Sequence, residues 1–585
     1  MGTIYQQRIA ALRELMLSKS WDAVIITGSD PHGSEYPAER WKQVEWLTGF
    51  TGEAGDVVVT ADHAGLWTDT RYFIQADRQL AGTGVELHKT RVPEQVLIPE
   101  WLAGRFDEDS IIAVDGLCVS AEYTGGLPGS IVSVPNMLDS LWDGRPDIPQ
   151  TPVFTADPGE SRGDKIDFLR VWLREQGGDS MLLSSLDDVA WTLNVRASDI
   201  EYNPLVISYL LISENSVEWF VLKGPVEDPE TELTFAELSE EGISLRQYTD
   251  IELALSQNEG TIVLDSNSIN HHLWSICGGD VKLVPSPVQL RKSVKNETEI
   301  NGMREAHLQD GLAMEKFLYW LENAVSDGAE ITEWDAAVKL GQYRAAIPGY
   351  RGDSFETISA YGPGAALPHY ITPHENAPVI EPHGLYLCDS GGQYDYGTTD
   401  ITRTVPMGEC SELEKEDYTL VLKGHIALAM AVFPAGTPGC RLDALAREPL
   451  WRAHRNFGHG TGHGIGWFLG VHEGPQDIRQ NLNATPLVPG MITSDEPGIY
   501  REGLFGIRHE NLVLCVEDGC DEFASWLKFE TLTLCHFDTS AVIPELLTRE
   551  EREWLNGYNE RVWQTLSPYL PEEISFWLRS KTEAI

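Results

Sequence analysis

The sequence predicts an α+β protein in which two α/β domains precede a third domain of helices and antiparallel hairpins. Its 585 residues exceed what one hydrophobic core organises, so three or four domains are expected. Helical and strand-like segments alternate in two successive stretches of the first half, which is typical of α/β domains. In the last third, two strand–loop–strand patterns carry paired acids. The hydrophobic content of 42% is ordinary for a globular chain.

The first domain is predicted to span residues 1–155. Apolar residues of Arg8–Leu17 recur at helical spacing, and three short apolar runs favour strands. Those strands are Ala23–Ile26, Val57–Thr60 and Ile111–Val114. Four prolines between Pro146 and Pro158 predict a linker at the end of this domain.

The second domain, residues 156–295, repeats this mixture of helices and strands. Its predicted strands are Ile207–Ile212, Trp219–Leu222 and Thr261–Leu264. The repetition predicts two α/β domains of related build.

The third domain, residues 296–540, is predicted to begin with a helix near Asn296. Asn296 is a polar cap, an acid follows it, and Ile300 and Met303 begin an apolar face. The tail, residues 541–585, has leucines and tryptophans at spacings that predict packed helices rather than a disordered end.

Two acids bracket the first hairpin pattern, DSGGQYDYGTTD from Asp389 to Asp400. If the hairpin is symmetric about Tyr394 and Asp395, these acids face each other, with Cβ atoms about 5 Å apart. Two carboxylates that close repel unless they share a proton or a cation.

The second pattern repeats this arrangement with Glu496 and Glu510, centred on Gly503, and continues in a predicted strand, Ile507–Cys515. His463, in a glycine-rich run between the hairpins, supplies an imidazole nitrogen. Any one of these side chains alone favours a surface acid or a structural histidine. Together, four carboxylates and one imidazole suit Mn²⁺, Co²⁺, Fe²⁺ or Zn²⁺. Two such ions, roughly 3.5–4 Å apart, activate water and polarise a carbonyl.

The motifs around these residues extend over most of the chain. In the last third they are HYITPHENAPVIEPHGLYLCDSGGQYDYGTTDITRT, HGTGHGIGWFLGVHEGP and DEPGIYREGLFGIRHEN. Earlier ones are Ser34–Tyr36, Thr48–Gly55, Trp67–Phe73 and Ser184–Pro204. They resemble the long, three-domain form of the aminopeptidase P (Xaa-Pro aminopeptidase) family of pita-bread metallopeptidases. The resemblance implies two creatinase-like N-terminal domains and a C-terminal pita-bread catalytic domain.

The resemblance also implies a role for each matching residue. Asp389 corresponds to the bidentate ligand of one metal ion, Asp400 and Glu510 to bridging ligands, and His463 and Glu496 to the remaining ligands of the second ion. Glu496 is also the implied proton acceptor.

Three histidines match residues of the family's site that are not ligands. His459 is expected to help stabilise the oxyanion, His472 to hold the carbonyl of proline, and His369 to seat the first residue. Arg508 is expected beside the substrate, where it could pair with an acid of the site. One departure from the pattern is His509, which should point away from the metals because neighbours in a strand face opposite sides.

The implied activity is metal-dependent hydrolysis of the bond between an N-terminal residue and a penultimate proline, with two divalent ions, expected to be Mn²⁺. Proline has no N–H and a fixed φ, which favours a dedicated enzyme. The rivals are a prolidase limited to Xaa-Pro dipeptides, a creatinase-like chemistry, and a non-catalytic binding protein on the same fold.

Composition restricts the partners. A formal net charge of −47 disfavours nucleic acid and anionic membranes. No apolar stretch predicts a signal peptide or a membrane span, and the eight cysteines form no Cys-x-x-Cys pair. A cytoplasmic enzyme is therefore predicted, acting on peptides, and the family resemblance implies a homodimer.

Overall fold

The computed structural model describes residues 3–222 and 228–585. The chain divides into two compact units, Met1–Val288 and Gln289–Ile585. Within the described ranges, no helix combines the length and apolar character needed to cross a bilayer. All eight cysteines are among the described residues, and all carry free thiols.

The first half of unit one is a six-stranded sheet with helices packed on it. Its strands are β1 (Ala23–Ile26), β2 (Asp56–Thr60), β3 (Ala64–Thr68), β4 (Glu86–Lys89), β5 (Ile111–Val114) and β6 (Ser130–Ser133). Its helices are α1 (Ile4–Lys19), α2 (Gln43–Thr48), α3 (Phe73–Gln79), α4 (Ile98–Ala103) and α5 (Ala121–Gly125). The strand order is β4-β3-β2-β1-β5-β6, with parallel pairs at both edges and antiparallel pairs between β1, β2 and β3.

The second half of unit one has the same topology. Its strands are β7 (Phe154–Thr155), β8 (Ser180–Leu183), β9 (Val195–Arg196), β10 (Ser208–Ser213), β11 (Val217–Val221), β12 (Ile243–Gln247), β13 (Thr261–Leu264) and β14 (Asp280–Leu283). Its helices are α6 (Arg162–Gln176), α7 (Leu186–Leu193), α8 (Pro229–Glu240), α9 (Asp250–Ser256) and α10 (His271–Ile276). The order β12-β11-β10-β8-β13-β14 repeats the first sheet strand for strand, including which pairs are parallel. The prediction of two related α/β domains is confirmed.

The proline-rich segment is more structured than a linker. Phe154 and Thr155 form β7 and pair with β9 of the second domain. The buried Val153 donates its N–H to the Thr231 hydroxyl at 2.9 Å. The predicted linker thus contains one short strand, between Pro152 and Pro158, that pairs with the second domain.

Unit two holds four long helices and antiparallel sheets. Helix α11 (Pro287–Ser293) crosses the boundary between the units in the sequence. The helices that follow are α12 (Glu297–Ser326), α13 (Glu333–Ala345), α14 (Glu412–Ala429), α15 (Asp443–Arg452), α16 (Arg549–Leu566) and α17 (Glu572–Lys581). The strands are β15 (Tyr350–Asp353), β16 (Ile358–Tyr361), β17 (Leu385–Ser390), β18 (Gly392–Tyr394), β19 (Gly397–Thr398), β20 (Ile401–Pro406), β21 (Val432–Pro434), β22 (Gly462–Gly464), β23 (Glu473–Ile478), β24 (Ile492–Asp495), β25 (Gly498–Arg501), β26 (Phe505–Arg508), β27 (Asn511–Cys520) and β28 (Ser525–Thr531).

Helix α12 begins where the sequence predicts. The Asn296 side chain accepts the N–H of Glu299 at 3.0 Å, and the Glu299 carboxylate accepts the N–H of Asn296 at 2.9 Å. This reciprocal capping box satisfies donors that a helix start leaves unpaired.

The unit is internally duplicated. Helices α12 and α13 pack together and precede the ladder of β17 with β20, while α14 and α15 pack together and precede the ladder of β24 with β27. Between the two strands of each ladder the chain leaves the sheet as a smaller hairpin, β18–β19 in one half and β25–β26 in the other. Each half therefore presents one acid-bearing hairpin.

The C-terminal helices are tied to this sheet by Arg403 on β20. The fully buried guanidinium donates to the backbone carbonyls of Glu510 and Cys535, both at 2.6 Å, and to the Tyr558 hydroxyl of α16 at 3.0 Å. That hydroxyl lies 3.0 Å from the carbonyl oxygens of Thr533 and Cys535. The predicted packing of the tail helices is observed, with Leu555, Val562 and Leu578 fully buried.

Replacing Tyr558 by phenylalanine should destabilise unit two by about 1–3 kcal/mol, because Arg403 loses an acceptor in a buried site. Urea unfolding followed by tryptophan fluorescence measures the change. Tyr569→Phe is the matched control, since that side chain is 64% exposed. Equal midpoints for both variants would contradict the assignment.

Candidate metal centre

The first acid pair lies at the end of the β17–β20 ladder, whose register differs from the predicted one. Asp389 is paired with Thr402, and Tyr394 with Gly397, so the turn is at Asp395 and Tyr396 rather than at Tyr394 and Asp395. The expectation that Asp389 and Asp400 are directly opposite was therefore wrong by two positions. Because side chains alternate with a period of two, a shift of two keeps both acids on one face as diagonal neighbours.

The second acid pair has the predicted symmetry about Gly503. Asp495 pairs with Asn511 in the main sheet and Gly498 with Arg508 in the small hairpin, so Glu496 and Glu510 occupy equivalent positions between the two ladders. The predicted strand Ile507–Cys515 is interrupted there, where the chain passes from β26 to β27. The Glu510 N–H donates to the Thr402 carbonyl at 3.1 Å, which joins the two hairpins.

His463, on β22, completes the cluster. Its Nδ1 lies 3.1 Å from the Gly464 carbonyl, which can only accept, so Nδ1 carries the proton. The lone pair is then on Nε2, which lies 3.5 Å from oxygens of both Asp400 and Glu496. Asp400, His463 and Glu510 each offer an atom within 4.8 Å of the other two. A histidine that donates one nitrogen to a carbonyl and presents the other is typical of metal ligands.

The carboxylates lie close to one another, with Asp389, Asp400 and Glu510 buried and Glu496 partly buried. Burial raises the pKa of Asp400 well above its ordinary value, and Asp389 and Glu496 raise it further. Burial and neighbouring acids likewise raise the pKa of Glu496 and of Glu510. Oxygens Oδ1 of Asp389 and Oε1 of Glu510 are buried without a hydrogen-bond partner in the described structure. Unpaired buried oxygens and mutual repulsion are what divalent cations would relieve, so these residues fit a metal centre.

Arg508 places a positive charge of the chain itself beside the acids of the site. The buried guanidinium hydrogen-bonds Oδ2 of Asp389 through Nη2, the Thr402 hydroxyl at 3.1 Å and the Tyr500 hydroxyl at 2.7 Å. Pairing with an acid agrees with the sequence prediction. Its bonds go to three side chains of the site, so we assign Arg508 to positioning Asp389 rather than to direct substrate binding.

His459 is held as a neutral ring. Nδ1 donates to the Gly460 carbonyl at 2.7 Å, so Nε2 is the acceptor for the Tyr500 hydroxyl, also at 2.7 Å. Burial and the charge of Arg508 lower the pKa of His459 to about 3. Nε2 carries no proton in this arrangement, so the predicted donation to an oxyanion requires a proton on Nε2 as well as release of the Tyr500 hydroxyl.

The remaining two histidines lie beside this cluster. The exposed His472 ring stands edge-on to His463, with centroids 4.3 Å apart. His369 lies near enough to His459 to lower its pKa. The loop that carries His369 is anchored by its neighbour, because the Tyr370 hydroxyl donates to the Glu333 carboxylate at 2.7 Å.

Sequence reasoning missed Tyr500, Thr402 and Glu333. Tyr500 joins Arg508 to His459, and the Thr402 hydroxyl donates to Oε2 of Glu510 at 2.8 Å. Thr402 is the cross-strand partner of Asp389, so the correct hairpin register would have placed it at the site. His509 lies as predicted on the opposite side from Glu510, against Tyr418 and Phe537.

Comparison with known proteins identifies the families of the domains. The profile of "Metallopeptidase family M24" matches residues 301–517, and that of its C-terminal region matches 525–585. Two profiles of the "Creatinase/Prolidase N-terminal domain" match residues 8–140 and 144–299. Fold and site together thus define a metallopeptidase with two creatinase-type domains before its catalytic domain.

Full-length relatives define the family more closely. A probable Xaa-Pro aminopeptidase P of Botryotinia fuckeliana is 39% identical, covering 99% of this chain and 93% of that protein. Aminopeptidase P1 of Arabidopsis thaliana is 36% identical, covering 99% of both. The crystal structure of X-prolyl aminopeptidase from Caenorhabditis elegans, described as a cytosolic enzyme with a di-nuclear active site, superimposes with a TM-score of 0.94 at 34% identity over 100% of both chains. The chain belongs to the Xaa-Pro aminopeptidase P family.

The buried Glu333 should give unit two a measurable pH dependence. Burial raises the pKa of this carboxyl to about 7, so the folded state holds the proton more tightly than the unfolded state does. Its contribution to stability is present at low pH and is lost as pH rises through 7. Between pH 6 and 8 the chain should lose about 1 kcal/mol more than Glu333→Gln does.

Urea unfolding at both pH values measures this difference, with the exposed Glu330→Gln as control. If Glu333→Gln and the unaltered chain respond identically to pH, the carboxyl does not titrate near neutrality.

Proposed function

We propose that this chain is a dinuclear metal-dependent aminopeptidase that releases the first residue of peptides with proline in second position. The observation that carries the proposal is the convergence of the His463 Nε2 lone pair with Asp400, Glu496 and Glu510. Relatedness to Xaa-Pro aminopeptidases over the whole chain supports the same activity.

The five predicted ligands, Asp389, Asp400, His463, Glu496 and Glu510, would hold two divalent ions. When bound, such ions polarise a carbonyl and make water nucleophilic at neutral pH. Mn²⁺ is the proposed metal because four carboxylates and one imidazole form a mostly oxygen donor set. Co²⁺, Fe²⁺ and Zn²⁺ remain compatible with it.

Glu496 accepts the proton of the attacking water in this proposal. It projects from the end of β24, where its backbone N–H is fixed by the Thr461 carbonyl at 2.8 Å. Its carboxylate lies 3.5 Å from Nε2 of His463, at the centre of the cluster, where it would meet the attacking water. Returning that proton to the leaving proline nitrogen completes the hydrolysis.

The surrounding polar groups position reactants. Arg508 holds Asp389, and Tyr500 joins Arg508 to the neutral His459. His472 is exposed next to His463, where it can donate to the carbonyl of the proline residue. His369, on the loop held by Glu333, is assigned to the first residue of the peptide.

The setting of the enzyme is also proposed. A cytoplasmic location is supported by the cytosolic relative of Caenorhabditis elegans and by eight free thiols. A homodimer follows from family resemblance alone. The net charge of −47 disfavours nucleic acid and anionic membranes as partners.

Asp400→Asn tests the metal centre. It removes one charge at constant shape, so occupancy should fall below two ions per chain and the rate by at least about 100-fold. Asp395→Asn, an acid of the same hairpin that is 42% exposed and paired with Arg351, should behave like the unaltered enzyme. Elemental analysis and turnover, with Mn²⁺ restored after chelation, supply both readouts. Full turnover in Asp400→Asn would reduce Asp400 to a structural acid.

Peptides that differ in length and in their second residue test the proposed specificity for proline. Xaa-Pro-Xaa should be cut, and replacing its proline by alanine should slow cleavage markedly. His472→Ala should lower kcat/KM without removing metal, whereas His374→Ala, whose side chain is 64% exposed, should change neither. Cleavage of the Xaa-Pro dipeptide alone would make the chain a prolidase, and equal cleavage of Xaa-Pro and Xaa-Ala peptides would refute the preference for proline.

A further inference from the structure

A second group of metal-ligating side chains lies at the edge of the first sheet of unit one. His63 is in the turn between β2 and β3, while Glu86 and His88 project from the edge strand β4. Each offers an atom within 4.8 Å of the other two. Glu86 and His88 are two residues apart on a strand, so they project to the same face.

The two imidazoles are spaced as ligands of one ion. Their Nε2 atoms are 3.1 Å apart. Two nitrogens bound at about 2.0–2.1 Å lie about 3.3 Å apart at the tetrahedral angle and about 2.9 Å apart at a right angle. The observed separation falls between these geometries. The Glu86 carboxylate is 3.7 Å from Nδ1 of His63, and its side chain is 70% exposed, so it can turn toward the imidazoles.

Gly65 makes room for this convergence. A Cβ at position 65 would lie 2.6 Å from Nε2 of His63 and 2.8 Å from Nε2 of His88. Both nitrogens therefore lie over the one residue of β3 that has no side chain.

Aromatic side chains fix the two rings. His88 stacks on Trp67 with centroids 3.8 Å apart and an interplanar angle of 4°. Trp101 lies 4.8 Å from the His63 ring. Rings held in place lose little freedom when they bind an ion, which favours binding.

The local charges are mixed. Arg105, which lies over Trp101 at 3.9 Å, opposes a cation, whereas Glu86 and Asp62 favour one. Burial lowers the pKa of His63 and of His88, so both rings are neutral at pH 7 and free to act as ligands. Without an ion, one Nε2–H can instead donate to the other nitrogen, and this hydrogen bond is the competing explanation.

We propose that His63, His88 and Glu86 bind one divalent transition-metal ion, with Zn²⁺, Ni²⁺ and Cu²⁺ favoured over Mn²⁺ by the two imidazoles. Water fills the remaining coordination positions. The ion joins the β2–β3 turn to β4 and so stabilises the exposed edge of the sheet. This site is independent of the proposed peptidase activity.

Zinc stoichiometry tests the proposal on the full chain. Metal-free protein is equilibrated with ZnCl₂ at pH 7.5, and bound zinc is measured by elemental analysis after gel filtration. His88→Gln should bind one ion fewer per chain than the unaltered protein, and His63→Gln should do the same. Glu86→Gln should weaken binding of that ion about tenfold or more.

His272→Gln is the matched control, because it removes another histidine of unit one that lies beside a glutamate, at 3.6 Å from Glu252. Gly65→Ala keeps all three ligands and should still lose the ion. An unchanged far-UV circular dichroism spectrum of each metal-free variant verifies that it is folded. Equal zinc content in His88→Gln, Gly65→Ala and the unaltered chain would overturn the proposal and leave the imidazole–imidazole hydrogen bond.

Discussion

Mutual repulsion among four closely spaced carboxylates, three of them buried, is the constraint on which the metal centre of unit two depends. Asp389, Asp400, Glu496 and Glu510 approach one another only because two ladders, two small hairpins and one internal arginine hold them there. Proximity of this kind costs free energy unless protons or cations compensate it. The fold therefore loses part of its stability at a site that fits divalent ions.

Arg508 and Arg403 both hold these acids in place, through different contacts. Arg508 neutralises part of the charge directly, through its bonds with Asp389 and Thr402. Arg403 acts on the backbone instead, because it donates to the carbonyls of Thr402 and Glu510 from beneath the sheet. Arg508 therefore reduces the negative charge of the site, and Arg403 fixes the backbone that carries its acids.

The sequence predicted which residues converge more accurately than it predicted the contacts between them. Asp389 and Asp400 converge despite a register error of two, since the period of a strand is itself two. Helix α12 starts at its predicted cap, and the two α/β domains repeat each other as their patterns indicated. The bridging role of Tyr500 and the pairing of β7 with β9 depend on partners distant in sequence. Local spacing carries no information about such partners.

The bond between Arg403 and Tyr558 has a consequence for biosynthesis. Ribosomes deliver a chain from its N-terminus, so Asp389, Asp400 and His463 emerge well before helix α16. The arginine that holds the Glu510 backbone has no Tyr558 acceptor until that helix docks. A nascent chain therefore carries most of its ligands before their support is complete. Docking of helix α16 is therefore the step that completes the support of the Glu510 backbone.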